Sequence, residues 1–336
     1  MGIQPPKADF VFEGGGVQGI GLVGALSVFE EEECLPVNVA GTSAGAIVAT
    51  LLAAGYTAAQ IKPIITNIDF NTLTDSSWIG RIPLVGAVIE ELFEQGLYNG
   101  DLLLKLMRDL LAKKGVHTFR DLIKPEYAND ERYRFKVRVV ASDITQGRML
   151  VLPQDISDYG MQPEDLEVAL AVRMSMSIPF FFKPVKLANS YIVDGGLLSN
   201  FPVELFDSDG VPEWPTFGIK LVQSDQANSA PMVRHPIHGP FSELAALFFT
   251  AQEAHDAYYL KNDKFVRTTP VDTLDIAATD FNLKPEQKEG LYQSGVKAAK
   301  NFIANWDFEK YKAMYRSGQP VPSRSELVWS AAPLRS

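Results

Sequence analysis

The sequence predicts an α/β protein in which helices cover both faces of a mainly parallel sheet. Two strand-turn-helix units near the start carry this prediction. Residues 8–12 read as a short strand that leads through a glycine-rich loop into a segment with helical periodicity at 17–33. A second short strand at 37–40 is followed by a tight turn and a run of small residues, 46–54, that predicts a closely packed helix. Repeated units of this kind imply parallel strands with helices between them.

The later elements follow in chain order. Residues 69–98 mix apolar and turn residues without a single period, and we interpret them as an inserted apolar cap. The patterns that follow predict a helix at 101–114, paired strands at 135–141 and 147–152, a helix at 163–176 and a strand at 190–193. Beyond a proline- and histidine-rich loop at 228–240, they predict amphipathic helices at 241–260 and 285–306 around a strand at 264–271.

These elements divide the chain into three parts. We expect an amino-terminal tail at 1–7, a core at 8–220 that contains the cap, and a carboxyl-terminal helical region at 221–336 that completes or flanks the core.

Composition restricts the class of protein. The chain has 336 residues, of which 46% are hydrophobic, so a large core can be buried. Its formal net charge of −10 disfavours nucleic-acid binding, and basic clusters of the kind that hold proteins permanently at membranes are missing. The sequence contains no secretory signal pattern and no apolar run long enough to span a membrane, and Cys34 is its single cysteine. We expect a cytoplasmic protein whose membrane contacts are peripheral and transient.

A five-residue pattern around Ser43 fits a nucleophile elbow. The residues read Gly-Thr-Ser-Ala-Gly, and the small residues Gly41 and Gly45 would allow a sharp turn between strand and helix to present the serine oxygen. The amino-terminal end of the following helix would stabilise a developing negative charge. The same pattern also fits a serine that only caps a helix.

A glycine-rich loop precedes the first helix. Successive glycines allow backbone N–H groups to point together at an anionic oxygen, so Gly14, Gly15, Gly16 and Val17 are candidates for an oxyanion hole. The spacing Gly14-x-Gly16-x-x-Gly19 also matches a dinucleotide-binding fingerprint. That alternative requires an acidic residue at the end of the second strand, where this chain has the serine turn instead.

A carboxylate at the end of a predicted strand is the candidate partner of the serine. Asp194 is followed by Gly195 and Gly196, and from such a turn its carboxylate could accept a proton from Ser43. Asp-Gly is also a common structural turn. None of the four histidines lies in a catalytic or metal-binding motif: His117, His235, His238 and His255.

Together these segments resemble the patatin-like phospholipase family, which combines a G-G-G-x-[R/K]-G loop, a G-x-S-x-G elbow and a D-G-[G/A] turn. The matching segments here are 14–19, 41–45 and 194–196. Residues 141–148 and 175–184 are also similar to the family, so the resemblance covers about residues 8–220.

The resemblance implies a three-layer α/β/α patatin-like fold with a Ser-Asp dyad. Ser43 would be the nucleophile and Asp194 the general base, with the oxyanion hole at residues 14–17 and Gly41, Gly45 and Gly195 as supporting motif residues. The implied function is a lipid acyl hydrolase, of phospholipase A or lysophospholipase type, that cleaves carboxylic esters through an acyl-enzyme without a cofactor or metal. Its substrates would be phospholipids, lysophospholipids or other acyl lipids.

One position departs from the family pattern, because Gln18 stands where arginine or lysine is usual. A positive charge beside the oxyanion loop is therefore missing. We expect weaker binding of a phosphate headgroup, so lysophospholipids, neutral glycerides and other acyl esters all remain open as substrates.

Apolar residues offer a candidate acyl channel. It would be lined by residues of the cap and of the segment before Asp194, namely Trp78, Phe93, Phe180, Phe181 and Phe182. Each of these residues also fits an ordinary place in the core. A second hypothesis for the whole chain is a catalytically silent or ligand-activated effector that uses the same scaffold to bind a partner.

Overall fold

The structure is a computed structural model of the chain. It describes residues 6–68, 100–208, 210–223, 243, 246–252 and 266–316. The predicted cap at 69–98 and the proline-rich loop at 228–240 lie outside the described residues.

A mixed sheet forms the centre of the described structure. Its strands are β1 (Lys7–Phe12), β2 (Leu35–Thr42), β3 (Val137–Asp143), β4 (Arg148–Leu152), β5 (Val185–Leu187), β6 (Ser190–Asp194), β7 (Thr216–Val222) and β8 (Thr268–Asp272). The order is β5-β6-β3-β2-β1-β7-β8, and β4 also pairs with β3. Strands β3, β2, β1, β7 and β8 are parallel, whereas β4, β5 and β6 make antiparallel pairs. The predicted mainly parallel sheet is confirmed.

Helices flank this sheet. They are α1 (Gly19–Glu31), α2 (Ala44–Ala53), α3 (Ala58–Asn67), α4 (Asp101–Ala112), α5 (Val168–Ser175), α6 (Pro285–Asn305) and α7 (Phe308–Tyr311), and residues 246–252 are also helical. The helices predicted at 17–33, 46–54, 101–114 and 285–306 are confirmed, with ends that move by a few residues. None of the helices in the described ranges is both long and apolar enough to cross a membrane.

Strand β1 is buried on both faces beyond its first residue, which explains why its sequence is apolar there apart from Asp9. Phe10 and Phe12 belong to the main core, where the ring of Phe10 lies 5.1 Å from that of Phe29 in α1. Val11, which points to the opposite face of the sheet, packs in a second core with Phe201 and its neighbours. The carboxyl-terminal end of β1 is thereby held rigidly where the glycine loop begins.

The prediction of one continuous helix at 163–176 is wrong in its first half. Helix α5 begins only at Val168, because the backbone just before it pairs with another segment. The Phe119 N–H donates to the Leu166 carbonyl at 3.0 Å, and the Val168 N–H donates to the His117 carbonyl at 3.0 Å. Residues 163–165 form a short 3-10 helix, and the chain is extended at 166 and 167, which separates that turn from α5.

Segments beyond residue 220 join the same sheet and the same helical layer. Strand β8 pairs with β7 in parallel, and α6 packs against α1. The two helices approach closely at glycines: a Cβ on Gly295 would lie 2.0 Å from the Gly21 carbonyl oxygen, and one on Gly24 would lie 2.0 Å from that of Tyr292. Helix α6 thus lies directly against the helix that follows the glycine loop.

Candidate active site

Ser43 occupies a strained turn between β2 and α2. Its φ is +52° and its ψ is −124°, a conformation that residues other than glycine rarely adopt. The turn closes because its flanking residues have no side chain: a Cβ on Gly41 would lie 2.2 Å from the Gly45 carbonyl oxygen, and one on Gly45 would lie 2.3 Å from that of Phe12. This is the geometry that the five-residue pattern predicts for a nucleophile elbow.

The polar groups of Ser43 contact the segment at the end of α5. The Ser43 N–H donates to Oγ of Ser175 at 2.8 Å, and the Ser175 hydroxyl in turn donates to the Val140 carbonyl of β3 at 2.6 Å. The hydroxyl of Ser43 itself donates to Sδ of Met176 at 3.4 Å. Ser175 thus anchors the strained turn to the sheet, while the Ser43 hydroxyl has only a weak acceptor.

Asp194 ends β6 and is 2% exposed. Its Oδ1 accepts the Gly196 N–H at 2.7 Å, and its own N–H donates to the Ser177 carbonyl at 2.9 Å. Among the residues that the structure describes, its Oδ2 has no hydrogen-bond partner. Burial raises the pKa of this carboxyl group from 3.8 to about 7, against smaller lowering effects of the Ser43 hydroxyl and the Gly196 N–H.

Ser43 and Asp194 are therefore neighbours, although they lie about 150 positions apart in the chain. The hydroxyl is close enough to lower the carboxyl pKa, yet it donates to Met176 in this conformation and leaves Oδ2 unpaired. Gly195 makes the approach possible, because a Cβ there would lie 2.4 Å from the Val140 carbonyl oxygen.

The glycine loop lies directly beside the serine. A Cβ on Gly14 would lie 3.1 Å from Cβ of Ser43. Two of the four candidate oxyanion donors are already used: the Gly14 N–H donates to the Asn200 carbonyl at 3.2 Å and the Val17 N–H to the Ala278 carbonyl at 3.1 Å. The N–H groups of Gly15 and Gly16 have no acceptor among the described residues.

The turn that follows β8 holds the glycine loop from the other side. Gly16 has a φ of +53°, and a Cβ there would lie 2.2 Å from the Ala278 carbonyl oxygen. Gln18 is buried and donates through Nε2 to the Ile276 carbonyl at 2.5 Å. The amide that replaces the usual basic residue is therefore engaged with the backbone of this turn.

A buried ion pair fixes the residue before the loop. Glu13 pairs through Oε1 with Nζ of Lys220, and its Oε2 accepts the Leu221 N–H at 2.5 Å. Both charged side chains are at most one-tenth exposed. The pair joins the end of β1 to β7, and no sequence pattern indicates it because the partners are 207 positions apart.

Three further polar residues at the site were also missed. Ser175 binds the Ser43 backbone, Asn200 donates through Nδ2 to the Gly14 carbonyl at 3.1 Å, and Gln252 places Nε2 2.8 Å from where a Cβ on Gly196 would be. Asn200 and Gln252 lie outside the three motifs, and only spatial proximity indicates them.

Part of the predicted acyl channel can be located. Phe182 is buried with Ile178 and Phe248 in a small apolar cluster, and Phe181 and Leu197 pack against it. Phe180 is half-buried with a φ of +70°. The cluster adjoins the site because residues 177 and 196, which contact Asp194, directly precede its members Ile178 and Leu197. The other two predicted channel residues, Trp78 and Phe93, lie outside the described residues.

No histidine was predicted to act, and the described part of the chain contains only His117. Its carbonyl pairs with Val168 at the amino-terminal end of α5, whereas Ser175, at the other end of that helix, contacts Ser43. The described residues contain no group of three or more His, Cys, Asp or Glu side chains able to hold a metal ion.

A parallel α/β sheet with a strained serine between strand and helix, beside a buried carboxyl group, defines the class of α/β proteins built around a nucleophile elbow. The sequence pattern described as patatin-like phospholipase matches residues 10–207. The chain belongs to this family.

Two relatives align with more than half of this chain. The uncharacterized protein YqhO of Bacillus subtilis is 38% identical over 307 residues, which cover 89% of this chain and 99% of that protein. A protein of invertebrate iridescent virus 6, described as probable lipid hydrolase 463L, is 28% identical over 198 residues, which cover 58% of this chain and 61% of the viral protein.

Solved structures share the fold. VipD from Legionella pneumophila has a TM-score of 0.53 at 18% identity, over 89% of this chain and 67% of its own. The type III effector ExoU has a TM-score of 0.50 at 17% identity, over 89% of this chain and 53% of its own. The expected patatin-like α/β fold is thereby confirmed.

Proposed function

We propose that the protein is a lipid acyl hydrolase of phospholipase A or lysophospholipase type, with Ser43 as nucleophile and Asp194 as general base. Membership of the family and similarity to 463L support lipid hydrolysis. One observation carries the residue roles: a serine at positive φ lies beside a buried carboxyl group whose Oδ2 is unpaired.

The first step transfers a proton. Oδ2 of ionised Asp194 accepts the hydroxyl proton of Ser43, and the serine oxygen forms a bond to the ester carbonyl carbon. The hydroxyl must first leave Sδ of Met176, which a rotation about the Cα–Cβ bond of Ser43 accomplishes. Catalytic hydrogen bonds are commonly long before substrate binds, so this geometry is compatible with the role.

The carbonyl oxygen becomes negatively charged as the bond forms. The N–H groups of Gly15 and Gly16 are the donors available to it, since those of Gly14 and Val17 are bound to backbone carbonyls. The proposed oxyanion hole therefore uses the N–H groups of two residues, and not of all four residues that the sequence suggested. Each such donor is worth about 3 to 4 kcal/mol of activation barrier.

Collapse of the tetrahedral intermediate breaks the bond to the alcohol portion of the lipid, which leaves with the proton from Asp194. A water molecule then attacks the acyl-enzyme and gives its proton to the same carboxylate, and the fatty acid departs as Ser43 recovers its hydrogen. A carboxyl pKa of about 7 suits this alternation, because the group accepts and returns a proton near neutral pH.

The apolar surroundings support an acyl substrate. The cluster of Ile178, Phe182 and Phe248 adjoins the catalytic segment and offers a surface for a hydrocarbon chain. The uncharged Gln18 contributes no cation for a phosphate group, so lysophospholipids and neutral acyl esters are candidates together with phospholipids.

A fluorophosphonate probe tests the proposal. We expect the wild-type protein to be labelled at Ser43, as located by mass spectrometry, and a mixed lipid extract to yield free fatty acids. Ser43→Ala and Asp194→Asn should each lower turnover by at least about 10³-fold without unfolding the chain. Ser157→Ala is the matched control, because this serine is exposed and its hydroxyl donates to the Gln154 carbonyl of its own turn.

Several outcomes contradict the proposal. Labelling that persists in Ser43→Ala would show that another residue is the nucleophile. Full turnover of Asp194→Asn would show that Asp194 is not the general base. If the wild-type protein is neither labelled nor active, the result would favour the second hypothesis, a catalytically silent or ligand-activated effector that binds a partner.

A further inference from the structure

One short segment contacts all three parts of the proposed site. Residues 194–200 supply Asp194 at their start. The carbonyl of Ser199 accepts the hydroxyl of Thr42, the residue that precedes the nucleophile, at 3.1 Å. Asn200, at the end of the segment, reaches the glycine loop. The segment therefore links the carboxyl group, the elbow and the candidate oxyanion hole.

Asn200 binds both polar backbone groups of Gly14. Its carbonyl oxygen accepts the Gly14 N–H at 3.2 Å, and its side-chain Nδ2 donates to the Gly14 carbonyl at 3.1 Å. Asn200 is 5% exposed, so water competes little with either bond. The contact is also close sterically, since a Cβ on Gly14 would lie 2.2 Å from Oδ1 of Asn200.

The contact of Asn200 with Gly14 lies next to the candidate oxyanion donors, the N–H groups of Gly15 and Gly16. With Gly14 held at both its N–H and its carbonyl, the peptide planes that carry the N–H groups of Gly15 and Gly16 start from a fixed position beside Ser43. Oxyanion stabilisation depends on donors that are oriented before the charge develops. A loop of successive glycines has little intrinsic rigidity, so an external contact must supply it.

We propose that Asn200 is a positioning residue that holds the oxyanion loop in register with Ser43 and Asp194. This inference rests on the proposed function and goes beyond its dyad. Asn200 does not touch the reacting atoms. It acts through Gly14, so its loss slows the chemical step and leaves substrate binding nearly unchanged.

The same geometry places Asn200 close to Asp194. Oδ1 of Asn200 and Oδ1 of Asp194 both lie 3.0 Å from where a Cβ on Gly196 would be. A second carboxyl group at position 200 would therefore interact with that of Asp194 and raise the pH at which it ionises. The pH at which Asp194 ionises in such a variant therefore reports whether position 200 lies beside it.

The experiment compares Asn200→Ala with Asn38→Ala. Asn38 is fully buried and also donates its amide to backbone carbonyls, of Phe135 and Tyr133, but at the opposite end of the strands. We expect Asn200→Ala to lower kcat by about 10²-fold with KM within about threefold, and to slow fluorophosphonate labelling of Ser43 in parallel. Asn38→Ala should lose thermal stability and keep its kcat.

Asn200→Asp provides the second variant, because it preserves the shape of the side chain if the alanine variant does not fold. We expect the acid limb of its kcat/KM profile to move to higher pH than in the wild-type protein.

A wild-type protein that is labelled at Ser43, with Asn200→Ala labelled equally fast, overturns the inference and leaves the proposed function intact. Equal losses of kcat in Asn38→Ala and Asn200→Ala, or an unmoved acid limb in Asn200→Asp, also overturn it. A wild-type protein without label or turnover contradicts the proposed function itself.

Discussion

Replacing Asp194 with asparagine is expected to stabilise the folded protein at neutral pH while it removes activity. The carboxyl group is buried, and its pKa is raised from 3.8 to about 7 chiefly because water cannot solvate the charged form. Asparagine keeps an oxygen that can accept the Gly196 N–H and carries no charge. In the wild type, the folded protein must either bury the ionised carboxylate or bind a proton to it. The folded variant avoids both costs.

The size of the effect follows from the two pKa values. Below about pH 4 the carboxyl group is protonated in both states, so wild type and variant differ least. As pH rises toward 7 the unfolded chain ionises while the folded protein keeps its proton, and the wild type loses stability relative to the variant. Above pH 7 the pH-dependent part of the difference levels off at about 4 kcal/mol. Burial of the unpaired amide group of the asparagine subtracts about 1 to 3 kcal/mol from this gain at every pH.

Urea unfolding at pH 4, 6 and 8 measures this difference. Ser43→Ala serves as the control, because it removes activity and retains the carboxyl group, so its stability should follow the wild-type pH dependence. If the unfolding free energies of Asp194→Asn and wild type stay parallel from pH 4 to pH 8, the carboxyl group is not held as a buried acid and the reasoning fails.

Three further predictions follow from the same contacts. The kcat/KM of the wild type should fall as pH drops through about 7, because Asp194 must be ionised to accept a proton; a limb near pH 4 would contradict this. Gly45→Ala should cost at least about 2 kcal/mol in urea unfolding, because its Cβ meets backbone oxygen at 2.3 Å, whereas Gly115→Ala, with φ of +72° and open space, should cost about 1 kcal/mol. Ser175→Ala should lower stability by about 1 to 3 kcal/mol and kcat as well, since it leaves the Ser43 N–H unpaired; unchanged kinetics would show that the elbow holds without it.

The first half of the sheet could be predicted because its signals are local. Strands β1 and β2 are short and mainly apolar, and each leads through a glycine-containing turn into a helix, so the local sequence indicates both elements. Ser43 and Asp194 could be singled out for the same reason, since each carries its own turn residues. That they lie together follows from the pairing of β6 with β3 and of β3 with β2, which only the fold provides.

Strand β7 shows why other parts were missed. Its sequence has Gly218 and Lys220 in the middle, which weakens both the apolar run and any alternation. The lysine is tolerated because Glu13 neutralises it within the core, and Gly218 admits the ring of Phe201. Asn200 is comparable: its partner Gly14 is 186 positions away, so no spacing rule could connect them.

The close packing of α6 on α1 bears on how far the chain can be shortened. The family pattern ends at residue 207, which suggests that a smaller protein would suffice. A chain cut near residue 220 would lose β8 and leave β7 as an unpaired edge, open to association with other chains. It would also uncover the face of α1 at Gly21 and Gly24, which α6 now covers. We therefore expect shortened versions to aggregate, and we expect a soluble version to need the chain at least to residue 305.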